Sequence, residues 1–126
     1  MSSARCSLSV AVFAYNEAAN IETCLDSITG QECPDDLRVH VLINGCTDAT
    51  ADVVRTYATR HANVVPVAIA LGDKANAWNH YVHDLAPAAD IHRFIDGDMT
   101  IIPGSFQALI RCFARHPEAT AAAGLP

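Results

Sequence analysis

Short runs of β-branched and aliphatic residues alternate with amphipathic stripes along this chain, and that alternation constrains the fold more than any single motif. Residues 7–14 and 38–43 are apolar with little polar interruption, as expected of parallel strands covered on both faces. Further strands are predicted at Val64–Ile69 and Ile91–Ile95, and the start of a fifth at Ala119–Ala123. Pro66 lacks an amide donor, so the third strand is expected at a sheet edge.

Between the strands, apolar residues recur at spacings of three and four. The stripes are Ala18, Ile21, Leu25 and Ile28; Ala51, Val54 and Ala58; Trp78, Tyr81, Val82 and Leu85; and Phe106, Leu109, Ile110 and Phe113. Asn16 is placed to cap the first helix, Gly30 to end it, and Pro103 to sit at the first position of the last. Strict alternation implies right-handed βαβ units. The expected fold is α/β: a Rossmann-like, mostly parallel sheet with helices on both faces. At 126 residues one domain is expected. The pattern is still running at Gly124-Leu125-Pro126, after the fourth βα unit, so residues 1–126 are expected to be the N-terminal part of a longer catalytic domain.

Composition excludes several function classes. A net charge of −6 and the absence of a basic stripe argue against a nucleic-acid surface. No apolar run approaches the ~20 residues needed to span a bilayer, and the apolar run 6–14 reads as a strand rather than a signal-peptide core. Cysteines at 6, 24, 33, 46 and 112 form no CxxC pair and are odd in number, so neither a zinc site nor a disulfide framework is indicated. A reducing, cytoplasmic setting, compatible with peripheral membrane association, is expected.

Ligands of open parallel sheets bind beyond the carboxyl ends of the strands. The residues there are polar: Ala14-Tyr15-Asn16-Glu17, Asn44-Gly45-Cys46-Thr47-Asp48, Gly72-Asp73-Lys74 and Asp96-Gly97-Asp98. In extended chain, Asp96 and Asp98 point the same way and offer two carboxylates to one point, with Gly97 leaving room for a ligand. Hard oxygen donors select Mg²⁺ or Mn²⁺, which keep open positions for phosphate oxygens. His80, His83 and Asp84 read as a solvated helical face, Cys46 as a residue without a catalytic partner, and Trp78 as core.

The segments 12–28 and 44–50, Lys74 with Asn79, Asp96-Gly97-Asp98-Met99 and Pro103-Gly104 together, in order and spacing, resemble family 2 glycosyltransferases of the GT-A fold. The resemblance implies a nucleoside diphosphate sugar as donor, UDP-type by family habit, an acceptor hydroxyl of unspecified chemistry, and inversion at the anomeric carbon. It places Ala14, Tyr15, Glu17, Asn44, Asp48, Lys74, Asn79 and Asp96 at the nucleotide, Tyr15 beside the base, and Asp98 with Asp96 at the metal. Asp48 also suits a helix cap and Lys74 a solvated helix start. Ile43 stands where the family commonly has an aspartate at the pyrimidine edge, so base identity stays open. The general base is expected beyond Pro126.

Two other classes fit parts of the pattern. A non-catalytic nucleotide-binding module or fragment would keep the cleft without the acceptor half. A haloacid-dehalogenase-like phosphatase would use Asp96 of the Asp-x-Asp-x-Thr stretch as nucleophile, but that motif belongs after a first strand and needs downstream acidic residues and a lysine.

Overall fold

The computed structural model describes residues 7–31, 37–45, 47–69, 74–82 and 89–116. Within them the order is β1 (Leu8–Ala14), α1 (Ile21–Thr29), β2 (Leu37–Asn44), α2 (Thr50–Ala58), β3 (Val64–Ile69), α3 (Lys74–His80), β4 (Ile91–Asp96) and α4 (Ser105–Arg115). The anticipated fifth strand at 119–123 lies outside the described residues.

The four strands form one parallel sheet in the order β3-β2-β1-β4. Pro66 lies on β3, at the edge, where its missing donor removes no bond from a strand paired on both sides. The chain winds outward from β1 through β2 to β3, then crosses back to β4 on the far side of β1. Right-handed crossovers in opposite directions must put their helices on opposite faces.

That is what is seen. Alternate residues Leu8, Val10, Val12 and Ala14 of β1 join Val39, Val41 and Ile43 of β2 beneath α1, α2 and α4. From α1, Ile21, Cys24, Leu25 and Ile28 enter this core; α2 gives Val54 and Tyr57, and α4 gives Phe106. The other face holds Ala11, Leu42 and Ile69 against Ala77 and Tyr81 of the α3 segment.

Three local expectations change. α1 begins at Ile21 behind Asn20, which makes no side-chain cap bond. Asn16 instead takes a left-handed backbone, φ 51°. Its Oδ1 accepts the Thr47 N–H at 2.8 Å and the Asp48 N–H at 3.3 Å, so it joins two loops rather than starting a helix. Pro103 lies in the turn before α4, whose N-cap is Gly104. Trp78 is 43% exposed, because Ala77 and Tyr81 occupy the inward positions of α3. Leu85, the end of that expected stripe, and the residues at 83 and 84 lie outside the described set.

Candidate functional site at the strand ends

β1 and β4 are neighbours although they are the first and last of the four strands, so the direction of winding reverses between them, and at such a reversal the carboxyl ends of the strands border a crevice. A cleft of about 310 Å³ lies there, lined by Ala14, Tyr15, Glu17, Asn44, Asp96 and Asp98, with Phe13 and Gly97 completing its wall. Six of the residues singled out in the sequence therefore meet at one place.

The loops that carry them are held by backbone bonds continuing the sheet. The Gly97 amide donates to the Phe13 carbonyl at 2.8 Å, and the Gly45 amide to the Ile69 carbonyl at 2.7 Å. A Cβ on Gly97 would lie 3.0 Å from the Phe13 carbonyl oxygen and 3.2 Å from Ile21 Cδ1. The glycine thus serves close packing of the β4 end on β1, not clearance for a ligand as its place in the motif suggested. The Met99 amide donates to the Asp96 carbonyl at 3.0 Å, so a tight turn, not extended alternation, sets the relation of Asp96 to Asp98.

Asp48 works within the loops. Its carboxylate accepts the Thr50 N–H at 2.9 Å, the Thr50 hydroxyl, and the Ala18 N–H at 3.2 Å. These bonds, those to Thr50 first, lower its pKa. Thr50 in turn accepts the Glu17 N–H on its hydroxyl oxygen at 2.9 Å. The loops after β1 and β2 are therefore one hydrogen-bonded unit at the N-terminus of α2. Asn79 lies on the exposed side of α3 and is not part of the cleft lining. Lys74 opens α3, and its side chain lies outside the described residues, as do Cys46, Gly72 and Asp73.

Negative charge concentrates at the cleft. The buried Cys24 thiol is pushed up to about 12 by desolvation first, then by the charges of Asp98, Glu17 and Asp96. Those three carboxylates act on one point, and no lysine or arginine lines the cleft among the described residues. Asn44 Oδ1 is buried with no hydrogen-bond partner among the described residues. An acceptor in that state is costly unless something supplies a donor. Among the described residues no group of three or more His, Cys, Asp or Glu is arranged to hold a metal ion alone. A hard cation bound through one or two carboxylates and completed by phosphate oxygens needs no such group. The donor set present fits Mg²⁺ or Mn²⁺ bound in that way.

Sequence reasoning missed Gln31, Ser27 and Thr50. The first two bond to residues about seventy positions away, and no local pattern announces such partners.

Comparison with known proteins agrees with this geometry. The family described as glycosyl transferase family 2 matches residues 9–126. The glycosyltransferase AglE of Haloferax volcanii is 38% identical over 58 residues, 45% of this chain and 19% of that protein. The mannosyltransferase PcManGT from Pyrobaculum calidifontis, solved in complex with GDP-Man and Mn²⁺, superposes with a TM-score of 0.79 and 29% identity, over 88% of this chain and 33% of its own. TarS 1-349 of S. aureus gives 0.77 and 21% identity, over 95% and 38%. The chain thus spans from 19% to 38% of the length of these relatives. No helix among the described residues is long and apolar enough to cross a membrane.

Proposed function

The chain belongs to glycosyl transferase family 2, and on that premise we propose that its cleft holds the nucleoside diphosphate of an activated sugar together with Mn²⁺ or Mg²⁺. The observation that carries this reading is the convergence of Glu17, Asp96 and Asp98, with no described basic side chain, beside exposed Tyr15 and the Asn44 oxygen that has no partner among the described residues. A diphosphate does not enter such a field without a cation. When bound, the divalent ion supplies positive charge against the leaving diphosphate.

The residues take these parts. Tyr15 presents a half-exposed ring to the base. Asn44 offers a buried acceptor at the cleft floor, Ala14 and Glu17 form the wall beneath the nucleotide, and Asp96 faces the ribose and metal region. Asp98, on the exposed turn, is the direct metal ligand, with Asp96 beside it. Asp48 contributes by fixing the two loops. Lys74 and Asn79, at the start of and along α3, are assigned to the nucleotide by family resemblance. The reaction is attack by an acceptor hydroxyl on the anomeric carbon, with inversion and release of the nucleoside diphosphate. The base that takes the hydroxyl proton is not assigned to any of these cleft residues. UDP is the nucleotide expected of the family. The mannosyltransferase relative was solved with GDP-Man, so both bases belong in the test.

Isothermal titration of UDP, GDP and their sugars, with and without Mn²⁺, checks the assignment. Metal-dependent binding of one nucleotide by the parent chain, lost by tenfold or more (about the cost of removing a charged ligand) in Asp98→Ala, is the expected result. Equal binding with and without metal, or by the variant, overturns it.

A further inference from the structure

Gln31 follows the last residue of α1 and its C-cap, and its side chain is buried. Both ends of its carboxamide are used. Nε2 donates to the Ile102 carbonyl at 2.7 Å and to the Ser27 carbonyl at 3.2 Å, with the Ile101 carbonyl at 3.5 Å. Oε1 accepts the Phe106 N–H at 3.2 Å. One side chain thus joins the end of α1, the loop after β4 and the first turn of α4.

The connection fills a local deficiency. The N-cap of α4 is Gly104, at φ 84°, which has no side chain to satisfy the first amides of the helix. Gln31 supplies that acceptor from 75 residues away. Ser27 adds a second tie four residues earlier on α1: its Oγ accepts the Ile101 N–H at 2.9 Å while donating to the Cys24 carbonyl at 2.6 Å.

The loop held in this way carries Asp98. At its start, the β1–β4 ladder and the Gly97–Phe13 bond fix Asp96 and Gly97. At its end, Ile101 and Ile102 are tied to Gln31 and Ser27. Asp98, Met99 and Thr100 between the two anchors are exposed and have little packing of their own. A carboxylate on such a span is placed by the ends of the span.

We infer that Gln31 is a positioning residue for the cleft, holding the Asp98 loop on α1 so that Asp98 stays in register with Asp96. The inference rests on the donor-site reading above, since it gives Gln31 its consequence through the proposed metal ligand. Gln31 itself is not part of the cleft lining.

Two variants of the full chain separate positioning from plain stability. Gln31→Leu removes both the tie and the α4 cap. Gln31→Glu keeps an acceptor for the Phe106 N–H, favourable at a helix N-terminus, but has no donor for the Ile102 carbonyl. Mn²⁺ is titrated in the presence of UDP and, separately, GDP, with free ion followed by electron paramagnetic resonance. Amide exchange is followed over residues 98–106, and Tm is recorded. Expected for both variants is exchange faster over 98–103 and Mn²⁺ affinity lower by about tenfold, the scale of outer-shell substitutions, with a lower Tm in each but both chains still folded at the temperature of the titration. A folded Gln31→Glu chain with parental loop protection and parental Mn²⁺ affinity overturns the inference. Failure of the parent chain itself to bind Mn²⁺ with either nucleotide overturns the donor-site reading instead, and with it the role given to Gln31.

Discussion

The two faces of the sheet are built by different means. Under α1, α2 and α4 the contacts are aliphatic and sealed: Val10, Val12, Leu25, Ile28, Val39 and Val41 have no exposure at all. Under α3 the core is thin, and its largest member is Tyr81. Its hydroxyl bonds the Ser9 hydroxyl and His92 Nδ1, the latter at 2.9 Å. Aromatic rings continue outward, with Phe94 6.2 Å from Phe13 and 6.1 Å from the exposed Trp78. Ties to the cleft loops come from the sealed face: Ser27 of α1, Gln31 just beyond its C-cap, and Thr50 of α2. The deep core therefore holds the site in place, while the α3 side depends on a few directional bonds.

The largest effect is expected on the sealed face. Leu25→Ala removes a wholly buried side chain from a rigid aliphatic layer and should cost about 2–5 kcal/mol. Urea unfolding with an unchanged m-value measures it. A loss under about 1 kcal/mol would mean the α1 layer collapses into the gap, at odds with the close packing expected of a core, and the contrast between faces would fail.

On the α3 side the corresponding change is Tyr81→Phe. The ring stays, and the Ser9 hydroxyl, 1% exposed, loses its bond to Tyr81. Leaving a buried polar group unpaired costs about 1–3 kcal/mol. The same urea titration ranks it against Leu25→Ala. A Tyr81→Phe loss equal to or larger than the Leu25→Ala loss would reverse the comparison and make the hydroxyl chain the main support of the sheet.

Sheet, strand limits and the β3 edge were legible because period and Pro66 act locally, and parallel strands with short crossovers leave few topologies. The cleft was legible for a related reason: polar residues after successive strands have only one place to meet. Helix starts were less so. Asn16 has the right residue type for a cap, yet its side chain serves the β2 loop, and the choice depends on a loop thirty residues on. Trp78 is apolar but only partly covered, since a seven-residue helix presents little inward surface. Gly97 lies in a motif that suggests space for a ligand, and it does line the cleft, but the place of a Cβ is taken by a β1 carbonyl. In each case a tertiary partner, invisible in a one-dimensional pattern, decides what the residue does.

The finest test of the contrast between faces is a titration. His40 is buried on the α3 side, its Nδ1 without a partner among the described residues, its ring edge-on to Tyr81 at 5.6 Å. Burial, then the charges of Arg38 and His92, lower its pKa below the ordinary value of 6.5. The folded state therefore resists a proton that the unfolded chain accepts. Between the two pKa values the unfolded chain binds more protons, so stability rises with pH there. It is complete above about pH 6.5, declines as pH falls below that, and levels once the folded state is also protonated. Urea midpoints from pH 7.5 to 5.5, above the main carboxylate range, should show this decline in the parent and a shallower one in His40→Phe, which keeps a ring against Tyr81 and cannot titrate. Parallel slopes would mean that protonated His40 finds solvent in the folded protein, and that the α3 face opens to water more easily than its packing implies.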